Sequence, residues 1–442
     1  MFKRTALSAA VFTAALGTVA GSVNAASLEG AFFDDATVTG GIYNMTRQRD
    51  RRENIGGSYK ENIYHSTMMA NVDFSSGLIN GMFGFDGGIF GTYDLWDSDS
   101  SQWSEFSLVD DNGKIENGVS VYKAALKFHL NNLRVRAGYI QPTGPGVLGV
   151  NWSFMPGTYR GAEAVYSNAG LTVAAMTADQ YKNPWTYDMD DIKRKDGTKI
   201  DSVYSVGASY DFGNGINVLG GYGESRDFLE LYKFKTSFDT EGLHLSYHFY
   251  GMDDKIGDSY VDGAPKNINN VFENLTYQHA LVSRFNFNNW TIRAEATYTE
   301  SEGTESNFAF RPTGYNGGFG KSAGAYEIWW DSRSDWNHNE EKAVFVGGWY
   351  DFQNGWNAGA SFAYGWDGKS NDKTVDKKLV ESAWNLDLGY TFQEGQLKGA
   401  SIKAHYTEYD LKTSVKSWSN AFPNAFQDDR DIKLMFVMPI SF

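Results

Sequence analysis

Apolar and polar side chains alternate singly along much of this chain, which is the period of an extended strand and not of a helix. Within Ser120 to Leu130, Tyr122, Ala124, Leu126, Phe128 and Leu130 share one face, and Lys123, Lys127 and His129 the other. Leu133, Val135, Ala137 and Tyr139 oppose Arg134, Arg136 and Gly138, while Leu243, Leu245, Tyr247 and Phe249 oppose His244, Ser246 and His248. Trp290, Ile292, Ala294, Ala296 and Tyr298 oppose Arg293 and Glu295, and Ala358, Ala360, Phe362, Tyr364 and Trp366 oppose Asn357, Ser361 and Asp367. The last run is the sharpest. Ile432, Leu434, Phe436, Met438, Ile440 and Phe442 form an apolar row, Lys433 and Ser441 fall between them, and the chain ends on an aromatic.

Eight short connections separate the runs, at residues 75–80, 131–132, 168–170, 211–215, 239–242, 286–289, 353–355 and 393–397. Most are built from Gly, Asn and Asp, which tolerate positive φ. Eight turns join sixteen strands, and a strand near each end, at 36–47 and 431–442, brings the total to about 18. The pattern predicts an all-β fold, a transmembrane antiparallel up-and-down β-barrel with both ends on the periplasmic side. Long outer loops are expected at 48–60, 96–118, 141–156, 181–200, 224–228, 251–270, 301–341, 368–380 and 411–429. A barrel this wide holds an aqueous passage unless loops fold into it. No helix-period segment or linker interrupts the series, so one domain is expected.

Composition fits this reading. Mean hydropathy is only -0.44, yet 16% of residues are aromatic and 48 are glycine. Strands that face lipid on one side and water on the other give such a mixture, with aromatics left over for interfacial girdles. At the start, Lys3 and Arg4 precede an apolar stretch from Ala6 to Ala20 and small residues at Val23, Asn24 and Ala25. That is the layout of a cleaved secretory signal peptide, expected over 1–25, with the barrel domain over 26–442. The chain is therefore expected to be exported through the periplasm to a bacterial outer membrane. There are no cysteines, hence no disulfide framework or thiolate metal site. The formal charge of -15 becomes -17 once a leader holding Lys3, Arg4 and no acid is removed, which disfavours nucleic acid as a partner.

Motifs for chemistry are weak. Gly320, Ser322 and Gly324 match a nucleophile-elbow spacing, but in a Gly-rich loop and not between a strand and a helix. None of the seven histidines shows a metal spacing, and no Ser/His or Asp/His constellation can be assembled, so no enzyme, cofactor or metal is expected. Acidic loop pairs such as Asp190-Asp191 and Asp253-Asp254 read as solvated charge, or as cation-bridged contacts to lipopolysaccharide.

Two features carry more information. Lys123, Lys127, Arg134, Arg136, Lys233, Lys235, Arg293 and Lys433 fall on polar strand faces, and Arg47 and Arg49 lie where the first strand meets its loop. They predict either a transverse field across the lumen or simple pairing with acids such as Glu163 and Glu295. Aromatics also cluster in two outer loops. The third holds Trp152, Phe154 and Tyr159, and the seventh holds Trp329, Trp330 and Trp336 among Asp331, Arg333 and Asp335. Aromatic rings beside polar anchors suit a sugar, with its apolar C–H faces and polar rim. Loop mini-cores or interfacial girdles are the other explanation of the same rings.

The segments FFDDATVTGGIYNMTRQRDRRE, SVYKAALKF, YIQPTGPGVLGVNWSFMPGTYRGAEA, YEIWWDSRSDWN and NAFQDDRDIKLMFVMPISF together resemble the chitoporin branch of the OprD-type substrate-specific porins. The resemblance spans nearly the whole chain after the leader. It implies an eighteen-stranded, narrow, substrate-selective channel for chitooligosaccharides, described as monomeric, though unrelated trimeric sugar porins share the chitoporin name. It implies inward-folded third and seventh loops and a basic ladder facing an acidic side. It also implies a terminal Phe442 that the barrel-assembly machinery recognises. The wider family carries basic amino acids, aromatic acids and other small solutes, so these and an unselective porin are the alternatives.

Overall fold

The computed structural model describes residues 32–52, 56–98, 107–109, 115–150, 157–256, 260–261, 264–265, 271–303, 308–314, 324–415, 419, 421–422 and 425–441. Eighteen long strands follow one another in chain order. They are β1 (Thr37–Arg52), β2 (Tyr59–Ser75), β3 (Phe83–Asp97), β4 (Gly118–Leu130), β5 (Leu133–Ile140), β6 (Thr158–Asn168), β7 (Leu171–Lys182), β8 (Val203–Asp211) and β9 (Ile216–Ser225). Then come β10 (Leu229–Asp239), β11 (Leu243–Asp254), β12 (Thr276–Phe287), β13 (Trp290–Glu300), β14 (Lys342–Asp351), β15 (Trp356–Gly368), β16 (Leu379–Thr391), β17 (Ser401–Leu411) and β18 (Asp429–Ser441). Each pairs antiparallel with the next, and β1 closes on β18 from Thr39↔Ser441 to Arg51↔Asp429. Closure leaves no free sheet edge, which a lipid environment requires.

The eight short turns lie where the alternation predicts them. The tightest, at 131–132, holds Asn131 at φ 50, and Asn288 has the same φ in the turn at 288–289. Asparagine tolerates this left-handed backbone better than most residues. The outward face is apolar, with Val119, Leu126, Leu281, Ile292, Val346, Ile432 and Leu434 all exposed. At the turn end a belt of rings circles the barrel, including Tyr210–Phe212, Trp290–Tyr350 and Trp356–Tyr390, with centroids 4.8, 5.0 and 4.8 Å apart. Tyr204, Tyr222, Tyr232, Tyr277 and Tyr298 mark the opposite rim. These belts match the two interfacial girdles of a membrane barrel.

Five strand pairs carry a register shift, and one of these bulges reshapes the lumen wall. The register between β3 and β4 shifts between Gly88 and Ile89, with Gly88 opposite Lys123 and Ile89 opposite Val121. Tyr122 is the extra residue of this bulge, and bulges redirect side chains. Tyr122 was expected on the lipid face with Leu126. Instead it is buried on the lumen side beside Lys123, and its hydroxyl donates to Asp73 at 2.6 Å.

Candidate functional site

The lumen is the candidate site, and two outer loops shape it. The third loop turns inward directly after β5. Glu163 on β6 is 3% exposed and accepts the backbone N–H groups of Thr143 at 2.8 Å and Gly144 at 2.9 Å. It also takes the Thr143 hydroxyl at 3.0 Å and the Arg136 guanidinium at 2.5 Å. Arg136 donates again to the Gln141 carbonyl at 2.6 Å. Further along, Val147 N–H donates to Ser205 Oγ at 2.9 Å. The loop backbone then lies against a glycine platform on β8 and β9. A Cβ at Gly207 would come within 2.5 Å of the Pro145 carbonyl oxygen, and one at Gly221 within 3.1 Å of Gly146. Glycine is needed at 207 because backbone meets backbone there.

The seventh loop lines the lumen wall between β10 and β18. It meets the third loop through a bridge between Leu148 and Gly324 and a bond from Ala325 N–H to the Val147 carbonyl at 2.7 Å. Glu327 then sits between Lys233 at 2.6 Å and Lys235 on β10. Burial opposes its ionisation, but the two ammonium groups outweigh it and hold the carboxyl down at about 2. Trp330 donates its indole N–H to Glu295 at 2.7 Å and stacks on Phe345 at 5.4 Å. Asp331 pairs with Lys433, and the Asp331 carbonyl lies 2.9 Å from His405 Nε2. Burial raises the Asp331 carboxyl, and Lys433 and His405 more than reverse this. Arg333 donates to Asp429 at 2.6 Å and lies over the Phe426 ring. Ser334 donates to Glu381 at 2.7 Å.

These contacts sort the expected substrate residues. Trp330 and Trp336 are each 3% exposed and pack on one another at 5.9 Å. Tyr159 is fully buried against Tyr181. All three rings are buried in packing contacts here and none stands open to the lumen. The reason is that two short polar side chains beside Trp330 and Trp336, Ser332 and Ser334, bond the wall and draw the rings down with them. Trp329 is 39% exposed and stands between buried Ile328 and buried Trp330, so it leans away from the wall. Asp335 is half-buried. Trp152, Phe154 and Phe442 lie outside the described residues.

The expected lumen charges are mostly paired. Arg47 and Asp431 form a buried two-pronged pair, and Arg49 is buried and donates to Asn62 at 2.7 Å. Lys123 pairs with Asp73 and Lys127 with Asp86, both at 3.0 Å, and Arg293 pairs with Glu295 two residues along its strand. Neutralising pairs thus account for most of the cations, and a uniformly basic wall does not form. Arg134 on β5 is exposed and has no ion-pair partner among the described residues. Glu327 escaped sequence reasoning. A lone acid three residues after the Gly-rich stretch was its only signal, and nothing in the sequence says that Lys233 and Lys235 face it.

The barrel fold agrees with the comparisons to known proteins. The family description "outer membrane porin, OprD family" matches residues 30–423. The chain belongs to the OprD family. Chitoporin of Escherichia coli (strain K12) is 40% identical, the alignment covering 93% of this chain and 92% of that protein. Among solved structures, OccAB1 of Acinetobacter baumannii superposes with a TM-score of 0.74 at 18% identity, covering 93% of this chain and 98% of that one. OpdK of Pseudomonas aeruginosa, solved with vanillate, gives 0.71 at 18%, covering 93% and 100%. As an OprD-family porin, the protein is an outer-membrane β-barrel.

Proposed function

We propose that this porin takes up chitooligosaccharides, the oligomers of N-acetylglucosamine, by passive diffusion down their gradient. The observation that carries the reading is the 40% identity to a chitoporin over 93% of the chain. The lumen supports it. Paired charges leave little net field to favour an ion over a neutral sugar, and Trp329 offers a ring beside the polar Asp331, Arg333 and Asp335. Trp152 and Phe154 are proposed as third-loop partners. A sugar slides by exchanging one ring for the next, held strongly enough to enter and weakly enough to leave. The protein does no covalent chemistry in this reading, needs no cofactor, and works as a monomer in contact with lipopolysaccharide. Residues 1–25 are removed on export, and Phe442 serves the assembly machinery.

Liposome swelling tests the proposal. Vesicles carrying the purified barrel should swell faster in chitobiose and chitotriose than in maltose and maltotriose of matched size. Equal rates would return the protein to the unselective porins. Faster entry of basic or aromatic amino acids than of either sugar series would make it an amino-acid channel.

A further inference from the structure

The end of the seventh loop holds a charge imbalance found nowhere else among the paired groups beneath that loop. Asp429 has Arg51 and Arg333, Asp431 has Arg47, Asp387 has Lys403 and His405, and Glu295 has Arg293. Glu341, the last residue of the loop, and Glu381 on β16 are both fully buried, and the described ion pairs give neither of them a lysine or arginine. Their company is His338, also fully buried, whose Nδ1 is 3.2 Å from Glu341 Oε2. One potential ligand atom from each of the three residues lies within 4.8 Å of the other two.

The donors around the cluster do not complete it. Glu381 accepts from Ser334 at 2.7 Å and from the Tyr409 hydroxyl. Glu341 Oε2 accepts the His338 backbone N–H at 2.9 Å. Glu341 Oε1 is buried and accepts no hydrogen bond from the described residues. The space it occupies is kept open by Gly365 on β15, where a Cβ would stand 2.2 Å from that oxygen. Two buried carboxylates cost several kcal/mol each unless paired or bound to a metal. A proton shared between them would neutralise one charge and use two of the three groups. A divalent cation engages all three.

We infer that His338, Glu341 and Glu381 bind one divalent cation, which pins the end of the seventh loop to the wall at β16. One imidazole and two carboxylates suit Zn2+ or Mn2+ better than Mg2+ or Ca2+, which favour all-oxygen shells. The three residues are fully buried, so the site does not depend on which solute the pore carries.

The test uses the full barrel, purified from outer membranes without chelator and dialysed against Zn2+ or Mn2+. Metal content is read by mass spectrometry, and thermal unfolding is followed with and without chelator. One equivalent per chain is expected for Zn2+, Mn2+ or both. The chelator should lower the unfolding temperature, and the metal should restore it. Glu341→Gln and His338→Gln should weaken affinity by more than about 100-fold, since even the loss of a group that only supports a ligand costs up to that much. Gly365→Ala keeps all three ligands but crowds Glu341, and it should also lose metal. No bound metal in the parent protein overturns the inference whatever the variants do. Equal metal in the parent and in Glu341→Gln overturns it too, and an unfolding temperature indifferent to chelator and metal would leave the glutamates sharing a proton.

Discussion

Replacing Glu163 by alanine should release the third loop. The Glu163 carboxylate carries two backbone N–H bonds at 2.8 and 2.9 Å, the Thr143 hydroxyl and the Arg136 guanidinium. Each hydrogen bond to a charged group contributes about 1.5–3 kcal/mol. Removing one partner of a buried pair costs about 3–5 kcal/mol, because the other charge is stranded. Arg136 is only 21% exposed, so it recovers part of this cost in water and the lower figure applies. About 3 kcal/mol raises the detached population of the loop by roughly 100-fold. Barrel closure and the seventh loop's contacts with the barrel wall are untouched, so the protein should still assemble. Single-channel recording reads the outcome directly. Glu163→Ala should show frequent transitions to a higher conductance, while Glu163→Gln, which keeps one acceptor oxygen, should fall between it and the parent. A current as quiet as the parent's, at the parent's conductance, would mean that Glu163 does not hold the loop.

Trp329→Ala should shorten sugar residence by roughly fivefold, the equivalent of about 1 kcal/mol for one ring contact; noise analysis of sugar-blocked current checks it. Trp330→Ala should act on stability instead, lowering heat resistance by an amount near the 3–5 kcal/mol of a buried tryptophan. Acid should loosen the seventh loop. Glu327 ionises at about 2 in the fold against 4.5 when unfolded, so its clamp is present above pH 4.5 and is lost as pH falls from about 4.5 to about 2; current noise measured across that window should rise in the parent and stay flat in Glu327→Gln. Deleting Phe442 should reduce barrel levels in the outer membrane, measured by heat-modifiable mobility of membrane fractions.

The barrel was legible because its signal is local. Each strand states its own period, and each short turn is announced by Gly, Asn or Asp, so the eighteen strands can be counted without knowing how they pair. The bulge at Tyr122 was not legible, since an extra residue changes the phase without changing composition. Alternation alone assigns the lumen cations to the polar strand faces. Their partners could not, because Lys433 and Asp331 or Lys233 and Glu327 meet only after the seventh loop has folded inside. The same loop misled the reading of its tryptophans. In sequence Trp329, Trp330 and Trp336 are alike, and only contacts with the wall, those of Ser332 and Ser334 and of Trp330 with Glu295, separate the rings drawn under from the exposed one. The glycine platform at Gly207 and Gly221 looks like ordinary strand glycine until the third loop lies on it.

Current through a single purified barrel in a planar bilayer, recorded with N-acetylglucosamine oligomers of increasing length, bears most directly on selective uptake. Resolved blockades are expected, lasting longer as sugar units are added, because a longer chain spans more stacking positions at once. Maltooligosaccharides of equal length should block more briefly. An uninterrupted current at every chitooligosaccharide length, in a channel that basic or aromatic amino acids do block, would contradict the proposed function.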